Sequence, residues 1–174
     1  MNDDRRWLTL AIELAHRCPP STTAFSVGAL IVDERGTEIS RGFSRETGRC
    51  HAEESALCKL DATAAAAPGL GDATLYSSLE PCVRRASGAR ACTDLIIAAG
   101  IRRVVIAWRE PPIFVSRPGG VAALEAAGVA VTELPDLARR AAAVNAHLFP
   151  RPATSDPPGG PGGAGTHSPG EERP

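Results

Sequence analysis

Two apolar, β-branched runs flank a tight turn signal, and this pairing constrains the chain more than any other feature. Phe25 to Val32 leads into Asp33-Glu34-Arg35-Gly36 and then into Glu38 to Phe43, which predicts an antiparallel hairpin. The hairpin is not continued as a meander, because helix-period and strand-period segments alternate after it. Residues 51 to 65 carry a helical pattern, Ala73 to Ser77 a strand, Cys92 to Ala99 a helix stopped by Gly100, and Arg103 to Trp108 a strand of fully buried type. Gly119 to Ala127 then predicts a helix, Val129 to Thr132 a strand, and Leu137 to Phe149 a closing helix behind Pro135. Ahead of the hairpin, Trp7, Ala11, Leu14 and Ala15 recur at helical spacing within residues 4 to 16, closed by Pro19-Pro20. A hairpin followed by such alternation predicts an α/β fold: a central five-stranded mixed sheet covered on both faces, a three-layer α/β/α sandwich.

A chain of 174 residues fits one ordinary domain, here expected over residues 1–149. From Pro150 the composition turns to Pro and Gly, which cannot bury enough apolar surface to offset chain entropy. Residues 150–174 are therefore expected to be a disordered tail. A formal net charge of -1 supplies no basic field for nucleic acid or an anionic membrane, so a small-molecule partner is expected. The start, Met-Asn-Asp-Asp-Arg-Arg-Trp, has mixed charge and no apolar run, which predicts a cytoplasmic protein. Five cysteines, at 18, 50, 58, 82 and 92, are then expected to be reduced, which favours metal binding or catalysis over disulfides.

The chemistry-bearing segments are Cys50-His51-Ala52-Glu53-Glu54, Leu79-Glu80-Pro81-Cys82 and Ala91-Cys92-Thr93-Asp94. His51 opens one predicted helix and Cys92 another, while Cys82 sits between a strand end and that second helix. All three can converge outside the carboxyl ends of the strands, where α/β sheets bind ligands. One His and two Cys, with a fourth position open, form the donor set of a catalytic zinc; a structural zinc is usually closed by four protein ligands. Glu53, two residues after His51, is badly placed for a fourth ligand and well placed as a proton shuttle. Against this stands the plainer reading of core cysteines beside a helix-capping histidine. Cys18, Cys50 and Cys58 lack a second motif partner and read as structural, with Cys50 adjacent to His51 the one to watch.

His-x-Glu with Pro-Cys is the signature of zinc nucleobase deaminases, although nine residues, Val83 to Ala91, replace the usual two between the cysteines. That stretched spacing, with Leu79-Glu80-Pro81-Cys82 and Ala91-Cys92-Thr93-Asp94-Leu95-Ile96-Ile97-Ala98-Ala99-Gly100-Ile101-Arg102-Arg103-Val104-Val105, resembles the pyrimidine deaminase domain of riboflavin biosynthesis, within the cytidine/deoxycytidylate deaminase superfamily. The resemblance runs from the first helix through Val27-Gly28-Ala29-Leu30-Ile31-Val32-Asp33 to about Val131. It implies the cytidine-deaminase-like fold and a Zn2+ cofactor held by His51, Cys82 and Cys92. It implies Glu53 as the acid/base, and backbone around Ala52 and Ser78 as the seat of the ring. The implied activity is hydrolytic deamination of an aminated pyrimidine nucleotide or nucleoside, of riboflavin-pathway type.

That family carries Pro-Asn-Pro before its Val-Gly, where this chain has Ala24-Phe25-Ser26; Phe25 to Ala29 is instead similar to the matching strand of cytidine deaminases. Cytidine or deoxycytidylate thus stays open as the substrate, with Phe25 at the pocket. An RNA base deaminase would need a basic stripe, and a non-catalytic zinc module would need no Glu53. Arg84, Arg85 and Arg90 lie in the loop expected to overhang the site and are candidates to grip a phosphate, Arg84 and Arg90 foremost, or simply solvated charges. Trp108 either stacks on a base or caps the core. A homo-oligomer, dimer or tetramer, is expected from the resemblance.

Overall fold

The computed structural model describes residues 3–63, 69–85, 89–114 and 118–149. The predicted elements are present in the predicted order: α1 (Asp3–Ala15), β1 (Gly28–Val32), β2 (Glu38–Phe43), α2 (Ala52–Thr63), β3 (Thr74–Ser77), α3 (Cys92–Ala98), β4 (Arg103–Ile106), α4 (Gly120–Ala126), β5 (Ala130–Glu133) and α5 (Ala138–Val144). The five strands form one sheet in the order β2-β1-β3-β4-β5. β1 pairs antiparallel with β2 and β3, while β3, β4 and β5 are parallel. The sheet is mixed because β1 reaches β3 by way of the hairpin and α2, whereas single-helix crossovers join β3 to β4 and β4 to β5.

Strand alternation sorts the core into two faces. Leu30, Val32, Tyr76 and Val105 pack with Trp7, Leu8, Ala11 and Ile12 of α1 and with Leu137 and Ala141 at the closing helix. Their neighbours Ile31, Leu75, Val104 and Ile106 pack on the other side with Ala56 and Leu57 of α2, Ile96 of α3 and Leu124 of α4. Both faces being covered, β1 is buried along its whole length, as a central strand with an unbroken apolar run requires. Two glycines set how closely the helices dock. A Cβ on Gly28 would lie 2.1 Å from the Ala11 carbonyl oxygen of α1, and one on Gly42 would lie 2.4 Å from the Ala52 carbonyl oxygen of α2.

Three elements differ from expectation by more than one residue. β1 begins at Gly28, not Phe25, because side chains take the backbone N–H groups of the residues before it: Ser26 N–H donates to Asn145 Oδ1 at 2.7 Å and Val27 N–H to Ser44 Oγ at 3.2 Å, while the Val27 carbonyl still accepts from Ser44 N–H at 2.9 Å. Asn145 Nδ2 also donates to the Ser26 carbonyl at 3.0 Å. That clamp interrupts the closing helix, which runs as a 3-10 turn (Pro135–Leu137), α5, and a second 3-10 turn (Ala146–Leu148). β4 ends at Ile106, two residues early, where the Trp108 carbonyl turns to accept from Glu80 N–H at 2.8 Å. The end of the helix predicted to residue 65 and the tail expected over 150–174 lie outside the described residues. Among the described residues, no helix is long and apolar enough to cross a membrane.

α1 is tied to the sheet by a polar contact as well as by packing. Asp4 accepts from Arg103 Nη1 and Nη2 at 2.9 and 2.8 Å, and from the Tyr76 hydroxyl at 2.8 Å. The Arg103 hydrogen bonds hold the Asp4 carboxyl below its ordinary value against the opposing effect of burial, while burial and Asp4 push the Tyr76 hydroxyl up to about 12. A depressed carboxyl contributes stability above the unfolded-state value of about 3.9 and loses it as pH falls through the folded value. Asp4→Asn is therefore expected to cost about 1 kcal/mol at neutral pH, where the pair is part-exposed. In thermal unfolding across pH, the difference from the parent should vanish in acid.

Candidate active site

The site gathers at the carboxyl ends of β3 and β4. His51 precedes the first residue of α2, and its carbonyl accepts from Ser55 N–H at 2.9 Å, the first bond of the helix. Glu54, in that first turn, reaches back to accept from the His51 N–H at 3.2 Å, one half of a capping box. This fixes where the imidazole leaves the backbone. Cys92 opens α3, and Cys82 lies on the loop that leaves β3. The two are held in register by Thr93, whose N–H and hydroxyl both donate to the Cys82 carbonyl, at 3.2 and 3.3 Å.

His51 Nδ1 lies 3.5 Å from Cys82 Sγ and 3.5 Å from Cys92 Sγ, and the three donor atoms lie within 4.8 Å of one another. Zinc at about 2.3 Å from sulfur and about 2.05 Å from nitrogen, with tetrahedral angles, would put such donors about 3.6 Å apart. The donor set therefore fits zinc in both chemistry and spacing. The two thiols hold their protons unequally. The Cys92 thiol, hydrogen-bonded to Cys82, holds Cys82 down to about 3, assisted by His51 and opposed by burial. Cys92 is pushed well above its ordinary value by the Cys82 thiolate, by burial and by Glu53. Burial alone would lower His51, but the hydrogen bond and charge of Cys82 outweigh it and leave the imidazole raised. Without a cation, these groups share protons that a bound metal would displace.

Glu53 is 3% exposed. Ser77 Oγ, at the end of β3, donates to Glu53 Oε1 at 2.8 Å, and Cys92 Sγ lies 3.2 Å from Oε2. One oxygen is thus anchored and the other faces the donor cluster. His51, Glu53 and Cys82 all open onto a cavity of about 310 Å³, within the range of small-molecule sites.

The remaining sequence candidates divide. Phe25 and Arg84 line the cavity; Phe25 meets Trp108 and Phe114 edge-on, with ring centroids 5.8 and 4.9 Å away. Arg84 is exposed at the rim. Arg90 is not among the lining residues, and its Nη2 donates to the Asp94 carbonyl at 3.4 Å. Trp108 is half-buried and packs on the core beside Phe25 and Phe149, the capping alternative of the two read for it. Ala52 is fully buried at the start of α2. Ser78 is buried, its N–H donating to the Gly28 carbonyl at 3.0 Å and its hydroxyl accepting from Gly28 N–H at 3.1 Å. Cys50 also lines the cavity.

Several site residues escaped the motif reading. Arg45 holds the rim: its guanidinium donates to the carbonyls of Pro19 at 2.7 and 3.0 Å and of Phe25 at 2.9 Å. Glu110 lines the cavity, its carboxyl pushed up to about 7 by burial and by the charges of Cys82 and Glu80. Its place just past a buried-type strand was the available signal. Glu80, buried behind it, accepts from the backbone N–H of Glu110 at 3.0 Å and of Val121 at 2.8 Å, so one carboxylate pins the loop after β4 and the start of α4. Glu80→Gln leaves one of those N–H groups facing an amide N–H. It is expected to destabilise the fold by about 1.5–3 kcal/mol, measured by denaturant unfolding.

Residues 1–108 match the family model described as the cytidine and deoxycytidylate deaminase zinc-binding region. The chain is 41% identical over 128 residues to the diaminohydroxyphosphoribosylamino-pyrimidine deaminase of Schizosaccharomyces pombe, covering 73% of this chain and 31% of that protein. It is 36% identical over 132 residues to the riboflavin biosynthesis protein RibD of Aquifex aeolicus, covering 74% of this chain and 34% of that protein. The chain thus spans about a third of the length of the curated relatives it matches. Among solved structures it is similar to the Rib2 deaminase of Aspergillus oryzae in complex with DARIPP, with a TM-score of 0.74 and 27% identity over 82% of this chain and 90% of that one. The dCMP deaminase of cyanophage S-TIM5 shares the fold, with a TM-score of 0.56 and 20% identity over 75% of this chain and 96% of that one.

Proposed function

Because the chain belongs to the cytidine and deoxycytidylate deaminase family, whose zinc-binding region it carries, we propose that it hydrolytically deaminates an aminated pyrimidine nucleotide of the riboflavin pathway. His51, Cys82 and Cys92 hold the zinc and Glu53 moves the protons. The observation that carries this reading is the zinc-spaced donor triad, two of whose members, His51 and Cys82, line the same cavity as the anchored Glu53 carboxylate. A structural site would gain nothing from either the opening or the carboxylate. Zinc held there supplies the Lewis acidity that makes water a nucleophile near neutral pH.

Each chain residue then has a task. Glu53, with Oε1 held by Ser77 and Oε2 towards the donor cluster, takes a proton from the attacking water and passes it to the ring nitrogen beside the carbon under attack. It then delivers the second proton to the leaving amine. The C–N bond breaks, ammonia departs, and the ring keeps the water oxygen as a carbonyl, so one water is consumed for each ammonia released. The Phe25 ring forms an apolar wall for the base. Arg84, exposed at the rim, is placed to meet a substrate phosphate, whereas Arg90 is turned towards Asp94. A cytoplasmic setting suits a site whose ligands are thiolates, and a dimer or tetramer is the expected assembly; light scattering of the purified chain reads the latter.

The riboflavin-type substrate is favoured because relatives at 35 and 36% identity are named riboflavin biosynthesis proteins and one at 41% is named a diaminohydroxyphosphoribosylamino-pyrimidine deaminase. The deciding experiment is an ammonia-release screen of the zinc-loaded chain against the diaminohydroxyphosphoribosylaminopyrimidine nucleotide, DARIPP, cytidine and deoxycytidylate. Turnover of one of the first two, without turnover of cytidine or deoxycytidylate, is the expected result. The reverse would move the chain to the cytidine branch. Glu53→Gln is expected to keep its zinc and lose about 10²- to 10⁴-fold in kcat, and near-parent turnover in this variant would remove Glu53 from the proton path.

A further inference from the structure

Arg85 lies between the two cysteines, next to the exposed Arg84, yet its own side chain is only 4% exposed. Its guanidinium makes two contacts of consequence. Nη1 donates to Glu54 Oε2 at 2.7 Å, and Nη2 donates to Cys92 Sγ at 3.3 Å. Its Nε–H is buried without a partner among the described residues. An arginine placed merely to hold a loop would be expected to satisfy its donors there. This one leaves a donor orphaned and keeps two others on a carboxylate and a sulfur. The carboxylate is the same Glu54 that accepts from the His51 N–H, so a single ion pair touches two of the three segments that supply donor atoms.

The local charge explains the use of such a pair. Two thiolates balance a divalent cation, and a neutral imidazole adds nothing. Glu53 then adds a further negative charge beside Cys92, and Glu110 and Glu80 stand across the cavity wall. We infer that Arg85 is a positioning residue of the metal centre: with Glu54 as its anchor, its guanidinium donates to the Cys92 sulfur and sets that ligand's position. A thiolate that accepts a hydrogen bond from a cation gives less charge to its metal, which leaves the metal the stronger Lewis acid. The planar fork of Arg spans Glu54 and Cys92 together, a geometry the single ammonium of Lys does not reproduce. This inference rests on the zinc reading above, and its test separates the two.

The measurement is zinc affinity of the full chain, by competition with a chromophoric chelator, alongside thermal unfolding of the zinc-free protein. The parent chain serves as the control: failure to bind zinc there would overturn the zinc reading itself. Arg85→Gln is expected to bind zinc about 10- to 100-fold more weakly. Arg85→Lys should recover part of the loss. Glu54→Gln, which loosens the anchor and leaves the guanidinium in place, should give a smaller deficit; it carries the test if Arg85→Gln fails to fold. Parent-like zinc affinity in these variants, with an earlier unfolding of the zinc-free protein, would overturn the inference and leave Arg85 as a prop for the loop. A deficit in Arg85→Gln that Arg85→Lys does not recover at all would overturn it too, since a cation at the sulfur would then count for nothing.

Discussion

The site depends first on how closely α2 lies against the sheet. Gly42, with no Cβ to meet the Ala52 carbonyl, lets the first turn of α2 sit directly on β2, and that turn carries both His51 and Glu53. With even a methyl group there the helix would have to ride outward or shift along its axis, and a shift of about one ångström is enough to spoil a metal centre. The sheet supplies the rest of the geometry. Because β3 and β4 are parallel, both end at the same edge, and the loops leaving them, one bearing Cys82 and the other Glu110, open at the mouth of the same crevice. The helix start and the strand ends converge without any single segment having to know about the others.

Negative charge is the recurrent difficulty of the site. Two thiols, Glu53, Glu80 and Glu110 crowd one cavity, and each is stabilised differently. Glu80 is buried, but it is satisfied by two backbone N–H groups and acts as structure. Glu53 is anchored through one oxygen by Ser77, and its other oxygen lies 3.2 Å from the Cys92 sulfur. Glu110 has no such anchor and responds by holding its proton to about 7, chiefly through burial. A divalent cation at the triad would relieve this crowding, as would the Arg85 guanidinium already beside Cys92. The arrangement is what a site built around a cation looks like from its protein side.

Much of this was legible in the chain. The hairpin, the later strand and helix alternation and the triad itself all arise from patterns spanning a few residues, and those patterns survive because the sheet buries both faces and enforces them. Legibility fails where a long-range side chain takes over a backbone group. Asn145 binds Ser26 across 119 positions, so the segment that reads as the start of β1 is an extended stretch held by a helix-end amide, and the helix breaks to supply it. The arginines fail for a related reason. Arg84, Arg85 and Arg90 are the same chemistry within seven positions, and nothing local distinguishes the one that turns inward. What decides is the Glu54 carboxylate 31 positions away, visible only once α2 is docked.

The long gap between Cys82 and Cys92 then has a physical meaning. Where two residues separate a pair of cysteines, the turn itself fixes their spacing. With nine between them, Val83 to Ala91, spacing has to be imposed from outside the loop. Thr93 does so at the base, donating twice to the Cys82 carbonyl and holding the loop's ends together. The length so accommodated gives the chain enough reach to fold a guanidinium back under its own cysteine, which a two-residue turn has no room to do. The stretched loop is thus better regarded as the structural means by which the site acquires a buried cation than as slack in a motif. The neighbouring arginines diverge accordingly: Arg85 is buried against Glu54 and Cys92, and Arg84 is exposed at the cavity rim.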